Sequence, residues 1–272
     1  MGKLTSFLKK SGKEDQSPEK NSHASVEITV PEGLKEIKLT DLDPRILAFH
    51  EPESLVAENF KILRSHILHP RTGLPSKLIM VTSSIPGEGK TYVSLNLGFS
   101  FARSVPTLLV EADLRHPCFG TYLGVAFEEG LSEYFLDRNS IPEIVYKTDF
   151  PNLYLIPAGR DLSLSKDVFG SEKLVKFLDD VRQHFPKFYI IFDSAPVLMA
   201  SETLSLSRLI DGLLLVVRYG YTEKGIVEEA LEKIGRSKIL GTVFNAFNIS
   251  SLNLISSKFK YYRYSNHYYR YR

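Results

Sequence analysis

Ser84-Ile85-Pro86-Gly87-Glu88-Gly89-Lys90-Thr91 is the stretch that most limits what this chain can become. The aliphatic run Lys77–Thr82 before it reads as a strand, and Thr91–Ala102 after it reads as a helix. A glycine-bearing turn between strand and helix aims successive backbone N–H groups at one point, where the helix dipole also favours negative charge. Gly87 and Gly89 allow the tight wrap that such a cradle needs. Ser84, Pro86, Gly87, Glu88 and Gly89 are therefore expected around the phosphates of a nucleotide. Lys90 is expected to reach the β- and γ-phosphates, and the Thr91 hydroxyl to ligate Mg²⁺. The strict pattern has glycine where Ser84 stands, so the loop is a variant of it.

The rest of the chain supplies a matching frame. Short apolar runs at Thr107–Glu111, Leu153–Pro157, Phe188–Asp193, Gly212–Val217 and Ile239–Phe244 alternate with helical stretches at Ser171–His184, Glu202–Leu209 and Glu223–Gly235. This alternation predicts an α/β fold, a mostly parallel sheet with helices on both faces. Upstream, Val56, Phe60, Leu63 and Ile67 share one face of a further helix over Glu53–His69.

Two of the runs end in acids, Glu111-Ala112-Asp113-Leu114-Arg115 and Asp193-Ser194-Ala195-Pro196. Ligands of open α/β sheets sit beyond the carboxyl ends of the strands, so both acids should face the loop. Asp193 suits a metal-side carboxylate, and Asp113 a second metal-side or nucleophile-orienting one. Lys90, Asp113, Glu111 and Asp193 form the expected catalytic set.

The ends differ from the middle. Residues 1–43 are rich in Lys, Ser, Glu and Pro, too polar to offset their ordering entropy, and are expected to be disordered, apart from a candidate edge strand at Val26–Val30. The domain proper is expected over 44–257. Residues 258–272 form a tyrosine-rich tail, with no Asp or Glu after Glu232 and five cations, Lys258, Lys260, Arg263, Arg270 and Arg272. The one cysteine, Cys118, excludes an intramolecular disulfide. No apolar run approaches the roughly 20 residues of a membrane helix, and no secretory leader is expected.

These motifs resemble the bacterial tyrosine kinases of polysaccharide export, in particular the exosortase-associated autokinases. That family combines a Walker A loop, a D-x-D-x-R motif, a Walker B strand ending D-x-x-P and a tyrosine-rich C-terminal tail. The counterparts here are Thr82–Thr91, Glu111–Arg115, Asp193–Pro196 and Tyr261–Tyr271. The resemblance implies a P-loop NTPase fold that uses ATP and Mg²⁺ and phosphorylates Tyr261, Tyr262, Tyr264, Tyr268, Tyr269 and Tyr271 in trans. It implies a ring-like homo-oligomer joined through Glu58, Lys61 and Arg64, and adenine recognition by Asn245. It further implies a separate membrane polysaccharide co-polymerase as activator, a tyrosine phosphatase, and a cytoplasmic place at the inner face of the membrane. Three positions depart from the pattern. Glu111 replaces a shorter Asp, so Glu111→Asp is expected to preserve or raise activity. Tyr92 stands where relatives carry a small hydroxyl residue beside the α-phosphate. Lys61 replaces an arginine of the ring motif and lacks its bidentate fork.

Two other readings compete. A partition or positioning ATPase would share the fold, but those proteins usually carry an extra lysine near the loop's start, where Ser83–Pro86 has none. A nucleotide-responsive module without transfer activity is favoured by Glu111 and Tyr92. In the tail, aromatics interleaved with cations can stack on single-stranded nucleic acid. The phospho-acceptor reading is preferred, and no nucleic-acid partner is expected.

Overall fold

The computed structural model describes residues 30–160 and 171–246. In chain order the elements are β1 (Lys35–Ile37), α1 (Leu47–His50), α2 (Leu55–Leu68), β2 (Leu78–Ser83), α3 (Lys90–Ala102), β3 (Thr107–Glu111), α4 (Phe119–Leu123), α5 (Leu131–Phe135) and α6 (Ile141–Ile144). There follow β4 (Tyr146–Thr148), β5 (Leu153–Ile156), α7 (Ser171–His184), β6 (Tyr189–Asp193), α8 (Ser201–Leu209), β7 (Gly212–Arg218), α9 (Lys224–Ile234) and β8 (Ile239–Asn245). The eight strands form one sheet in the order β1-β4-β5-β3-β6-β2-β7-β8. Every neighbouring pair is parallel except β4 and β5.

The central strands are buried on both faces, which is why they read as unbroken aliphatic runs. Side chains alternate along a strand, and two cores result. Met80, Leu108, Val110, Ile190 and Phe192 pack with Phe135 of α5 and with Leu174, Phe177 and Val181 of α7. Ile79, Val81, Leu109, Ile191 and Leu214 pack with Phe60 and Ile67 of α2 and with Leu97 and Phe101 of α3. Helix α2 opens on Ser54, whose hydroxyl accepts from the Ala57 N–H at 3.2 Å. Helix α3 runs close to β3. A Cβ at Gly98 would come within 2.5–2.7 Å of three side-chain carbons of Leu109, so any larger residue there would have to displace the Leu109 side chain.

The structure corrects the expected N-terminal boundary. Order reaches back past residue 44, because Lys35–Ile37 pairs in parallel with Tyr146–Thr148 at the sheet's edge. The edge strand expected at Val26–Val30 lies outside the described residues except for Val30, as does the tail with its six tyrosines. Among the described residues no helix is long and apolar enough to cross a membrane.

Candidate active site

The site lies at the carboxyl ends of β2, β3 and β6. The loop after β2 takes positive φ at Gly87 (82°) and Gly89 (91°), a region that glycine enters without steric cost. Gly89 is also the N-cap of α3, and no side chain caps it. The first N–H groups of α3 are thus left for a ligand.

Lys90 opens α3 and turns toward the two acids. Its Nζ lies 2.8 Å from Asp113 Oδ2. The contact is an ion pair rather than a well-aligned hydrogen bond, and Oδ2 has no hydrogen-bond partner. Burial pulls the Lys90 ammonium toward neutrality, and the Asp193 and Asp113 carboxylates more than offset this, so its pKa stands above the ordinary value. Asp193 is fully buried, which pushes its pKa up to about 6 against the pull of Lys90 and of hydrogen bonds from Thr91 and Ser94. Ser94 Oγ donates to Asp193 Oδ1 at 3.0 Å. Asp113 is 2% exposed, and its Oδ1 accepts from the His116 N–H at 3.2 Å. Arg115 is held away from this cluster by Glu202 of α8, Nε to Oε1 at 2.6 Å and Nη2 to Oε2 at 3.0 Å.

Glu111 is placed differently from the expected catalytic role. Its Oε1 accepts from the Cys118 N–H and from the Phe119 N–H at 2.7 Å, and Oε2 accepts from the Ala158 N–H at 3.0 Å. The carboxylate caps α4 and ties it to the end of β5. Burial raises its pKa to about 7 despite the three backbone donors. The added methylene lets Glu111 span to these amides, and its side chain works as an internal brace.

The other expected residues are located as follows. The Tyr92 ring packs against Phe60 of α2, centroids 6.1 Å apart, so its side chain belongs to the α2–α3 contact. Asn245 ends β8, and its Nδ2 donates to the Glu88 carbonyl at 2.8 Å. Ser84 is buried and its Oγ has no partner. On α2, Glu58 and Lys61 pair at 3.2 Å, whereas the Arg64 guanidinium donates to the Ser100 carbonyl of its own subunit. Glu202, Arg218, Tyr221 and Thr222 were not anticipated. Arg218 ends β7, and Tyr221 and Thr222 follow it, so the strand-end argument used for β3 and β6 would have reached them.

The donor set fits a nucleotide with Mg²⁺. Uncapped N–H groups, Lys90 and the unpartnered buried Ser84 Oγ suit phosphate, and Thr91, Asp193 and Asp113 Oδ2 suit the cation. Among the described residues no three His, Cys, Asp or Glu side chains form a ready cation cage.

The fold and loop define a P-loop nucleotide-binding protein, and residues 76–238 match the AAA domain family AAA_31. The chain is 27% identical over 233 residues to the tyrosine-protein kinase YwqD of Bacillus subtilis, covering 85% of this chain and 96% of that one. It superposes on the crystal structure of the VpsO kinase domain with a TM-score of 0.63 and 30% identity, covering 71% of this chain and 96% of that one. It is also 28% identical over 211 residues to the succinoglycan biosynthesis transport protein ExoP of Rhizobium meliloti, covering 75% of this chain and 27% of that protein. The chain belongs to the AAA_31 family and, within it, to the bacterial tyrosine kinases.

Proposed function

We propose that this protein transfers the γ-phosphoryl group of ATP to tyrosines of its own kind. The acceptors are Tyr261, Tyr262, Tyr264, Tyr268, Tyr269 and Tyr271 of a neighbouring subunit in a ring-like homo-oligomer. The observation that carries this reading is the Lys90 ammonium held between Asp113 and Asp193 at the mouth of the phosphate loop. Phosphoryl transfer demands mainly positioning and charge neutralisation. The N–H groups of residues 87–89 and of the start of α3 hold the phosphates, and Lys90 faces the charge that develops on the γ-phosphoryl group. Asp113 orients the tyrosine hydroxyl and accepts its proton as the new O–P bond forms and the bond to ADP breaks. Thr91, Asp193 and Asp113 would hold Mg²⁺, which would supply further neutralisation of the phosphates.

The relatives' names support a setting in exopolysaccharide or capsule synthesis. A separate membrane co-polymerase would activate the kinase and keep it at the inner face of the cell membrane, and a tyrosine phosphatase would reset it. Purified protein incubated with Mg-ATP and probed for phosphotyrosine tests the reading. Labelling of wild type and none of Lys90→Met is expected. Phosphate release without labelling would favour a positioning ATPase, and neither would favour a nucleotide-responsive module.

A further inference from the structure

Glu88 lies within the phosphate loop, is 1% exposed, and its side chain takes no part in the chemistry above. Its carboxylate is nonetheless fully engaged. Oε2 accepts from the Ile85 N–H at 2.9 Å and closes the loop on itself. Oε1 accepts from Thr222 Oγ1 at 2.5 Å and from the Arg218 N–H at 3.3 Å, at the end of β7 and in the segment after it. The Glu88 carbonyl accepts from Asn245 at the end of β8. One residue therefore joins the phosphate loop to two neighbouring strand ends.

The sheet order gives this junction a direction. Strand β2 feeds the loop, with β6 and β3 on one side and β7 and β8 on the other. Asp193 and Asp113 follow from β6 and β3, so a terminal phosphate at Lys90 leaves the ribose and base to the β7–β8 side. There Arg218 Nη1 donates to the Gly87 carbonyl at 3.3 Å, and its guanidinium lies 5.0 Å from the centre of the Tyr221 ring. The Tyr221 hydroxyl lies 3.5 Å from where a Cβ on Gly87 would stand, yet the residue is 53% exposed. Its aromatic surface is open beside the loop.

We infer that the Glu88 side chain is a positioning residue that locks the β7–α9 segment to the phosphate loop and presets Arg218 and Tyr221, beside Asn245 on the Glu88 carbonyl, as the wall for ribose and base. The inference rests on the nucleotide site proposed above. Without the lock, that wall must be ordered at the moment of binding, which weakens the nucleoside end of a ligand and not the phosphate end.

Calorimetric titration of the full chain with Mg-ADP and with inorganic pyrophosphate separates the two ends. Thr222→Val removes one hydroxyl from the lock and keeps the Ile85 contact that shapes the loop. Its affinity for ADP is expected to fall about tenfold, the scale of a lost hydrogen bond to a charged group, while pyrophosphate affinity stays within about twofold. Glu88→Gln should show the same split, and adding Thr222→Val to it should cost little more, since both act on one contact. Unchanged ADP affinity in Thr222→Val overturns the inference, as does an equal loss for ADP and pyrophosphate. Failure of the wild type to bind pyrophosphate would overturn the site assignment itself, and the inference with it.

Discussion

Lys90 and Asp113 face each other across 2.8 Å at the ends of α3 and β3, with Asp113 almost wholly buried. The pairing makes each residue's charge necessary to the other. Asp113→Asn removes the counter-charge of Lys90 and, with it, the proposed proton acceptor. Phosphotyrosine formation, followed by quantitative blotting at saturating Mg-ATP, is expected to fall about 10²- to 10³-fold.

Glu111→Asp now carries a prediction opposite to that of the sequence. A side chain one methylene shorter cannot keep the amides of Cys118, Phe119 and Ala158 together. Leaving a buried N–H unpaired costs about 1–3 kcal/mol. Urea denaturation should show that loss, and autophosphorylation should fall rather than rise.

Stability should depend on pH through the same residue. Burial lifts Glu111 from 4.5 to about 7 and Asp193 from 3.8 to about 6. Between those limits the folded protein holds protons that the unfolded chain has lost, so stability falls as pH rises and levels off above about 7. Thermal melts of nucleotide-free protein from pH 4.5 to 8 should show this slope. In Glu111→Gln its upper part, from about pH 6 to 7, should vanish while the part due to Asp193 remains.

Arg64 is expected to matter to the subunit as well as to any ring. It is partly buried, which together with nearby Arg103 lowers its pKa, and its guanidinium caps the Ser100 carbonyl. Arg64→Ala should cost about 1–2 kcal/mol by loss of that charged hydrogen bond. The same loss in urea denaturation at protein concentrations a hundredfold apart would assign it to the monomer.

Assembly should respond to the charge of the tail. Residues 258–272 carry +5, and each phosphotyrosine adds roughly −1.5 to −2. Three modifications bring the segment near neutrality, and six make it strongly acidic and repelled from Asp113 and Asp193. Light scattering before and after Mg-ATP treatment should show a smaller mass, with the difference shrinking at high salt. Replacing all six tyrosines by Phe should leave the mass unchanged.

The frame was legible because its strands are buried on both faces and must be aliphatic throughout. Leu108-Leu109-Val110 and Ile190-Ile191-Phe192 announce themselves. Lys35–Ile37 and Tyr146–Thr148 do not, since three-residue strands carrying Lys35, Glu36 and Lys147 read like any solvated stretch. The four- and five-residue helices α1, α4, α5 and α6 are too short to show a period. In the site, Lys90, Asp113 and Asp193 could be placed together because their strand or helix ends fix where they stand. The direction of the Glu111 carboxylate could not, because it depends on amides seven, eight and forty-seven residues away.

The absent side chain at Gly98 has a reach that its position conceals. By letting α3 settle onto Leu109, it sets the height of that helix above β3, and α3 carries Lys90 while β3 leads to Asp113. Eight residues of helix, about 12 Å, separate the spacer from the ammonium it levels. A methyl group added there would press first on the Leu109 side chain, and the strain left over would enter the path to the pair without touching either member. Tolerance to substitution in this protein should therefore follow the stiffness of the path to the reacting atoms rather than distance from them.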